Sequence, residues 1–254
     1  GDLDLFIGAR SVPGNYGLVP ASFVFSNDGN GNWTDLTTEQ FGRLGMVTDA
    51  AWADLNGNGF KDLIVVGDWL PVTIFVNKAG KLERVDGQRF VQNNAFGWWT
   101  AIEAADLDGD GDDDFVVGNW GQNTKFKASP QEPLSMYVKD FDNNGKSEFI
   151  INWYPPEEDQ AYPFPDKMDI TAQMPHLRKR ILKYEDYAQM TYEELLTPEE
   201  RKGAISFMTT ELRTAVLWNE DAGLRLEPLP RMAQIAPVFA ISVQDFDGDA
   251  VPDI

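Results

Sequence analysis

A nine-residue acidic loop recurs along this chain, and the recurrence of one supersecondary unit constrains architecture more tightly than any single motif does. Three complete copies read D-L-N-G-N-G-F-K-D from Asp54 to Asp62, D-L-D-G-D-G-D-D-D from Asp106 to Asp114, and D-F-D-N-N-G-K-S-E from Asp140 to Glu148. A fourth, D-F-D-G-D-A-V-P-D, runs from Asp245 to Asp253, and Gly1-Asp2-Leu3-Asp4-Leu5 matches the tail of a fifth. Each complete copy puts an oxygen-bearing side chain at positions 1, 3, 5 and 9, while position 7 can offer its backbone carbonyl. The candidate ligands are Asp54, Asn56, Asn58, Phe60 and Asp62; Asp106, Asp108, Asp110, Asp112 and Asp114; Asp140, Asp142, Asn144, Lys146 and Glu148; and Asp245, Asp247, Asp249, Val251 and Asp253. Hard anionic oxygen donors in that number suit Ca²⁺, whereas Mg²⁺ demands tighter octahedral geometry.

Glycine at position 6 (Gly59, Gly111 and Gly145) lets the chain turn through positive φ around an ion, and Ala250 at that place costs the fourth loop about 1 kcal/mol. An EF-hand opens with the same spacing but needs a glutamate at position 12, where this chain has Val65, Val117 and Ile151. The flanks are also those of strands. Phe239, Ile241 and Val243 alternate with Ala240, Ser242 and Gln244, and Asp114 runs directly into Phe115-Val116-Val117-Gly118. Each loop is therefore expected to join two strands. A single Asp/Asn/Gly cluster is an ordinary turn former; recurrence at one strand–loop–strand position favours cation binding.

These stretches resemble the FG-GAP/VCBS repeat family of integrin-like blades. The resemblance rests on Asp54 to Gly67 and Asp106 to Gly118, with Asp4 to Gly8 as a partial copy. It implies an all-β fold, a β-propeller of four-stranded blades with a calcium ion between the first two strands of each. Spacing agrees for one blade: 52 residues separate Asp54 from Asp106, and Val72 to Val76 and Lys81 to Val85 flank a turn at Asn77 to Gly80 as third and fourth strands. Only 34 residues separate Asp106 from Asp140, so Ser135 to Tyr154 is either an extra hairpin or the start of a blade whose predecessor lost two strands. Thr214 to Leu217 and Leu224 to Leu229 resemble third and fourth strands again.

Residues 155–212 differ in character. Four prolines (Pro155, Pro156, Pro163, Pro165) precede helical signals: Thr191 with Glu194, and Thr197 with Pro198 and Glu200, are capping boxes. His176 to Lys183 is a further short helix, amphipathic through Leu177, Ile181 and Leu182. The expected organisation is blades over 1–154, a Pro-rich and mainly helical insertion over 155–212 that caps the propeller, and a continuation over 213–254. Both termini fall inside the motif, as in a piece of a longer protein. Helical insertions with a stretch like Lys183 to Ala188 resemble those of large bacterial envelope proteins with such repeats.

Composition narrows the function. A formal charge of -20 repels phosphate backbones and anionic lipid, so nucleic acid is not an expected partner, and repulsion of that size asks for bound cations. The chain has no Cys and no apolar run long enough to cross a membrane as a helix. Its one histidine, His176, lies among Arg178, Lys179, Arg180 and Lys183, and no catalytic constellation gathers round it, so the chain reads as a non-enzyme. Those cations are expected to pair with Glu185, Asp186, Glu193 and Glu194. Trp69 and Trp120 follow strand-ending glycines in V-V-G-D-W and V-V-G-N-W, and Trp98 and Trp99 precede another strand. Their rings are candidates for stacking on a sugar or clamping a peptide, with packing between blades as the alternative. The expected role is a calcium-stabilised module, extracellular, cell-surface or periplasmic, that binds a protein or glycan ligand or belongs to an envelope complex. The alternative is an accessory part of a polysaccharide-degrading or other hydrolytic enzyme.

Overall fold

The computed structural model describes residues 3–85, 91, 96–249 and 251–254. Gly1, Asp2 and Ala250, singled out in the sequence, lie outside them. Contacts divide the chain into two compact units, one of Gly1–Arg10, Val19–Thr124 and Glu211–Ile254, the other of Ser11–Leu18 and Lys125–Thr210.

The first unit holds three antiparallel sheets among its described residues. One has the order β1-β2-β3, from β1 (Leu5–Ile7), β2 (Phe23–Asn27) and β3 (Trp33–Asp35). The next runs in chain order through β4 (Met46–Ala53), β5 (Asp62–Pro71), β6 (Thr73–Lys78) and β7 (Lys81–Arg84), with β8 (Phe96–Trp98) added at the far end of β5. This is the four-stranded unit expected between Asp54 and Asp106. In the third, β9 (Ala101–Ala105) and β10 (Asp114–Gly118) are completed by β15 (Ala215–Glu220) and β16 (Gly223–Pro228). The hairpin read as third and fourth strands therefore closes the sheet begun by β10, after a long excursion of the chain. That sheet lost no strands.

Along each second strand, alternate residues enter successive cores. Leu63 and Val65 pack with Phe6, Val24 and Phe41, while Ile64 and Val66 pack with Phe115, Val117 and Leu217. Val116, between Phe115 and Val117, joins Leu107, Val216, Ile241 and Val243. A strand apolar on both faces is what a stack of sheets requires, since each repeat buries its faces only against its neighbours.

Hydrogen bonds repeat at the junctions. Val47 donates its N–H to the Ala9 carbonyl at 3.0 Å, Trp99 to Gly67 at 3.2 Å and Val238 to Asn119 at 3.0 Å. Each donor stands seven residues ahead of the first Asp of its loop, and each acceptor lies at or just after the glycine that follows the apolar run, Gly8, Gly67 or Gly118, although β5 continues through Gly67 to Pro71. None of those glycines has room for a side chain: a Cβ would run into Val47 at Gly8 and into the Met46 carbonyl at Gly67. A Cβ on Gly118 would lie 2.7 Å from the Val238 carbonyl oxygen and 3.0 Å from Thr100 Oγ1, which itself donates to that carbonyl. Gly118→Ala should cost about 1–3 kcal/mol, read as a lowered urea midpoint at unchanged slope.

The second unit is built on one sheet of order β13-β12-β11-β14, from β11 (Leu134–Lys139), β12 (Glu148–Trp153), β13 (Tyr162–Pro163) and β14 (Ile205–Thr209). Ser135 to Tyr154 thus belongs to a sheet of its own. Tyr137 and Ile150, paired across β11 and β12, pack with Phe141 against Ile170, Met174, Leu177, Ile181, Leu195 and Leu196 from the helical stretch. Sheet and helices share that core, which is why the longer segment of the unit runs from Lys125 to Thr210 and the change of composition at Pro155 falls inside it. At the position equivalent to Val47, seven residues ahead of Asp140, stands Pro133, which has no N–H to donate.

Both capping boxes are formed, Thr191 with Glu194 and Thr197 with Glu200. The helix over Lys167–Gln173 was not anticipated; its signal is Asp166, whose carboxylate accepts the Asp169 N–H as N-cap. Residues Pro175–Lys179 form a 3₁₀ turn that buries Leu177, with Ile181 buried just beyond, but Leu182 is 74% exposed and has no part in the apolar face.

Candidate metal sites

Every acidic loop in the sequence joins two strands, or a bridged pair. Residues 54–61 link β4 to β5, 106–113 link β9 to β10, 140–147 link β11 to β12, and 245–252 lie within the Gln244–Asp253 bridge. Their backbones follow one plan. Position 4 has positive φ in all four: Gly57, Gly109 and Gly248 carry it without strain, and Asn143 takes it at 58°. Position 6 repeats this at Gly59, Gly111 and Gly145.

Hydrogen bonds then hold the carboxylates in place. The position 1 side chain accepts backbone N–H groups from across the turn: Asp54 from Asn58 at 3.1 Å and Gly59 at 2.7 Å, Asp106 from Gly109 at 2.8 Å and Gly111 at 3.1 Å, Asp140 from Asn144 at 2.9 Å and Gly145 at 2.8 Å. Asp245 accepts from Gly248 at 2.6 Å and Asp249 at 3.2 Å. Position 5 holds the N–H of position 7, with Asn58 to Phe60, Asp110 to Asp112, Asn144 to Lys146 and Asp249 to Val251 all between 2.8 and 2.9 Å.

Position 9 closes the loop. One oxygen of Asp62, Asp114, Glu148 and Asp253 accepts the N–H of position 2, from Leu55, Leu107, Phe141 and Phe246 at 2.8 to 3.1 Å. The other oxygen of Asp62 and of Asp114 accepts the N–H of Asn77 at 2.6 Å and Asn219 at 2.8 Å, tying the loop to the third strand of its sheet.

This plan gathers Asp106, Asp108 and Asp114, then Asp140, Asp142 and Glu148, then Asp245, Asp247 and Asp253, with one oxygen of each lying within 4.8 Å of the others in its triad. Asp110 and Asp249 fall outside these triads. In the loop at Asp54, two asparagines stand in for acids. Asn56 donates its amide to Asp62 at 3.2 Å and Asn58 to the Asn77 carbonyl at 3.3 Å, which leaves two carboxylates.

Burial pushes the Asp62, Asp114 and Glu148 carboxyls above their ordinary range against the N–H groups that hold them, and nearby loop acids add to the rise. Asp54, half-buried, is instead held low by the N–H of Gly59. Three carboxylates brought together, with one pushed toward its neutral form, fit a hard divalent cation that would restore its charge.

The tryptophans expected to face a ligand are packed inward instead. Trp69, Trp98 and Trp99 are 3%, 6% and 0% exposed and Trp120 is half-buried, so they offer no open platform for a ligand. The reason is β8, which sets Trp98 between the two equivalent rings, 4.6 Å from Trp69 and 4.4 Å from Trp120. Trp69 reaches the stack from a register shift in β5, at φ 57°.

His176 lies in an ion-pair cluster, its Nε2 at 3.2 Å from Glu200, which Arg180 also holds at 2.9 Å. The Arg180 hydrogen bonds draw Glu200 down to about 2. Lys183 does pair with Glu185 as expected, whereas Arg180 chooses Glu200 over Glu193 or Glu194.

A family model described as an FG-GAP-like repeat matches residues 1–65 and again residues 54–117. No curated protein and no solved structure matches the chain.

Proposed function

We propose, from the FG-GAP-like repeat model that matches residues 1–65 and 54–117, that the acidic loops of this chain bind calcium and brace a β-propeller module, with the helical stretch inserted in it, that works outside the cytoplasm by binding protein or glycan. The observation that carries the reading is the shared loop plan, in which backbone N–H groups aim carboxylate oxygens at one point in three loops. Calcium would be held by Asp106, Asp108 and Asp114, by Asp140, Asp142 and Glu148, and by Asp245, Asp247 and Asp253, with carbonyls at position 7 completing the shell. Asp54, Asn56, Asn58 and Asp62 form a site of lower charge and weaker affinity. The ion neutralises part of the acid excess and clamps the two strands that each loop joins.

Fully coordinated calcium leaves no position for a substrate, so these loops act as struts and not as reaction centres. Sites of modest affinity suit extracellular, cell-surface or periplasmic calcium. Calorimetric titration of the chelator-treated chain tests the metal. Calcium should bind at more than one site, and Asp108→Ala should remove one of them. A titration without heat, repeated at two temperatures, sinks the reading. For the ligand, a glycan array and a pull-down from envelope extract should give a retained partner, with no turnover of arrayed sugars.

A further inference from the structure

One face of the second unit's sheet is covered along one strand and open along the next. Ile150 points into the core shared with the helices, so Phe149 and Ile151 point to the opposite face. Their register partners on β11, Val138 and Met136, are 1% and 0% exposed, yet Phe149 and Ile151 themselves are only half-buried. Both line a groove of about 440 Å³, within the size range of ligand sites.

Aromatic rings supply much of its wall. The Phe164 N–H donates to the Ile151 carbonyl at 2.7 Å, which brings Phe164 alongside β12. Phe164 is 37% exposed, and its ring lies 4.5 Å from Phe126 at an interplanar angle of 50° and 5.7 Å from Trp153 at 85°. Rings set at such angles make a corner, where a sugar would stack on a flat face. The helix over Lys167–Gln173 adds Asp169 and Gln173, one turn apart on one of its faces. Among the described residues, neither the Asp169 carboxylate nor the Gln173 side-chain amide has a hydrogen bond or ion pair. Lys167, two residues ahead of Asp169, is engaged elsewhere: its ammonium donates to the Leu182 carbonyl at 2.7 Å and sits 4.8 Å from the centre of the Tyr184 ring.

A carboxylate without a partner, beside tilted aromatic faces, suits a cation carried on an apolar stem. Among the described residues Asp169 is the only ionised group lining the groove, so an anionic ligand gains nothing there. We propose that this groove is a docking site for an arginine side chain of a partner protein. The guanidinium stacks on a ring while its N–H groups donate to Asp169 and to the side-chain oxygen of Gln173, a combination that the point charge of a lysine does not supply. The formal charge of -20 draws a basic partner toward the chain. The proposal rests on the reading of this chain as a binding module and narrows it to a protein with an exposed arginine, whether or not the loops bind calcium.

Methyl NMR of the whole chain, titrated with the capped tripeptide acetyl-Gly-Arg-Gly-amide, reads the groove directly. Shifts at the Ile151 and Ala172 methyls with a dissociation constant of about 1 mM are the expected result. The same peptide with citrulline, a neutral isostere of arginine, should bind about tenfold more weakly, and Asp169→Asn should impose the same loss on the arginine peptide. Phe164→Ala should weaken binding about threefold. Asp169 and Phe164 are both exposed, so these variants keep the fold. The pull-down from envelope extract decides separately whether the chain retains a protein at all, so a silent groove and an absent partner are told apart. Equal affinity for the citrulline peptide, full affinity in Asp169→Asn, or no methyl shift at peptide concentrations of roughly ten times that dissociation constant overturns the proposal.

Discussion

Chelating calcium should lower the thermal midpoint of the chain by about 10 °C. A site held at ten times its dissociation constant adds about 1.4 kcal/mol, three such sites about 4 kcal/mol, and a protein of this size shifts roughly 2–4 °C per kcal/mol. The formal charge of -20 works in the same direction, since removing divalent cations restores repulsion among crowded acids.

Acid should erase the difference. Asp62, Asp114 and Glu148 have folded-state pKa values raised above the ordinary 3.8 and 4.5, by burial first. A raised carboxyl opposes folding while ionised, so the calcium-free chain gains stability as pH falls through the raised values, and the gain is complete below the ordinary ones. Calcium needs the ionised forms, so its contribution fades over the same window just above the carboxylate range. Unfolding curves with calcium and with chelator should therefore converge on mild acidification. Curves that run parallel from neutral pH down to that range would contradict the assignment of these acids to the sites.

Asp114→Ala should be the most damaging change at a single loop. Its carboxylate is buried and accepts the N–H of Leu107 at 3.1 Å and of Asn219 at 2.8 Å, so truncation orphans two donors as well as removing a proposed ligand. The expected loss without calcium is about 2–4 kcal/mol, with calcium no longer protecting that loop. Asp114→Asn separates the two roles. An amide oxygen can keep one hydrogen bond, so the chelator-treated variant should lie nearer to the unsubstituted chain, while its response to calcium should still fall. If Asp114→Asn keeps the full calcium response, the loop is a hydrogen-bonded turn and no more.

The loops were legible because their chemistry is local. Oxygen side chains at positions 1, 3, 5 and 9 and a glycine at position 6 state a turn around a charge in nine letters, and the backbone follows them. What escaped depended on distant chain. Asn143 fills a left-handed position that three other loops give to glycine, a substitution that asparagine tolerates and that no spacing rule flags. Trp69 and Trp120 looked exposed because each follows a glycine that reads as a strand end, although β5 runs on through Trp69 to Pro71; the strand that covers them, β8, is three residues long and carries almost no periodic signal. The Pro-rich stretch at Pro155 marked a change of pattern within one core, since Tyr137 and Phe141 pack with helices many residues further on. The partner strands of β10 were found as a hairpin, but only the register of Phe115 with Leu217 says where that hairpin belongs.

That register has a kinetic corollary for synthesis. β10 is translated about a hundred residues ahead of β15, an interval of roughly 5 to 20 s at ribosomal rates. Until then the nascent sheet shows Phe115 and Val117 along a bare strand, while the intervening unit, with its strands and helices close in sequence, has the shorter loops to close and can condense first. The later hairpin is what shuts the third sheet, so a ribosome stalled before Ala215 would display an aggregation-prone edge that β15 conceals once made.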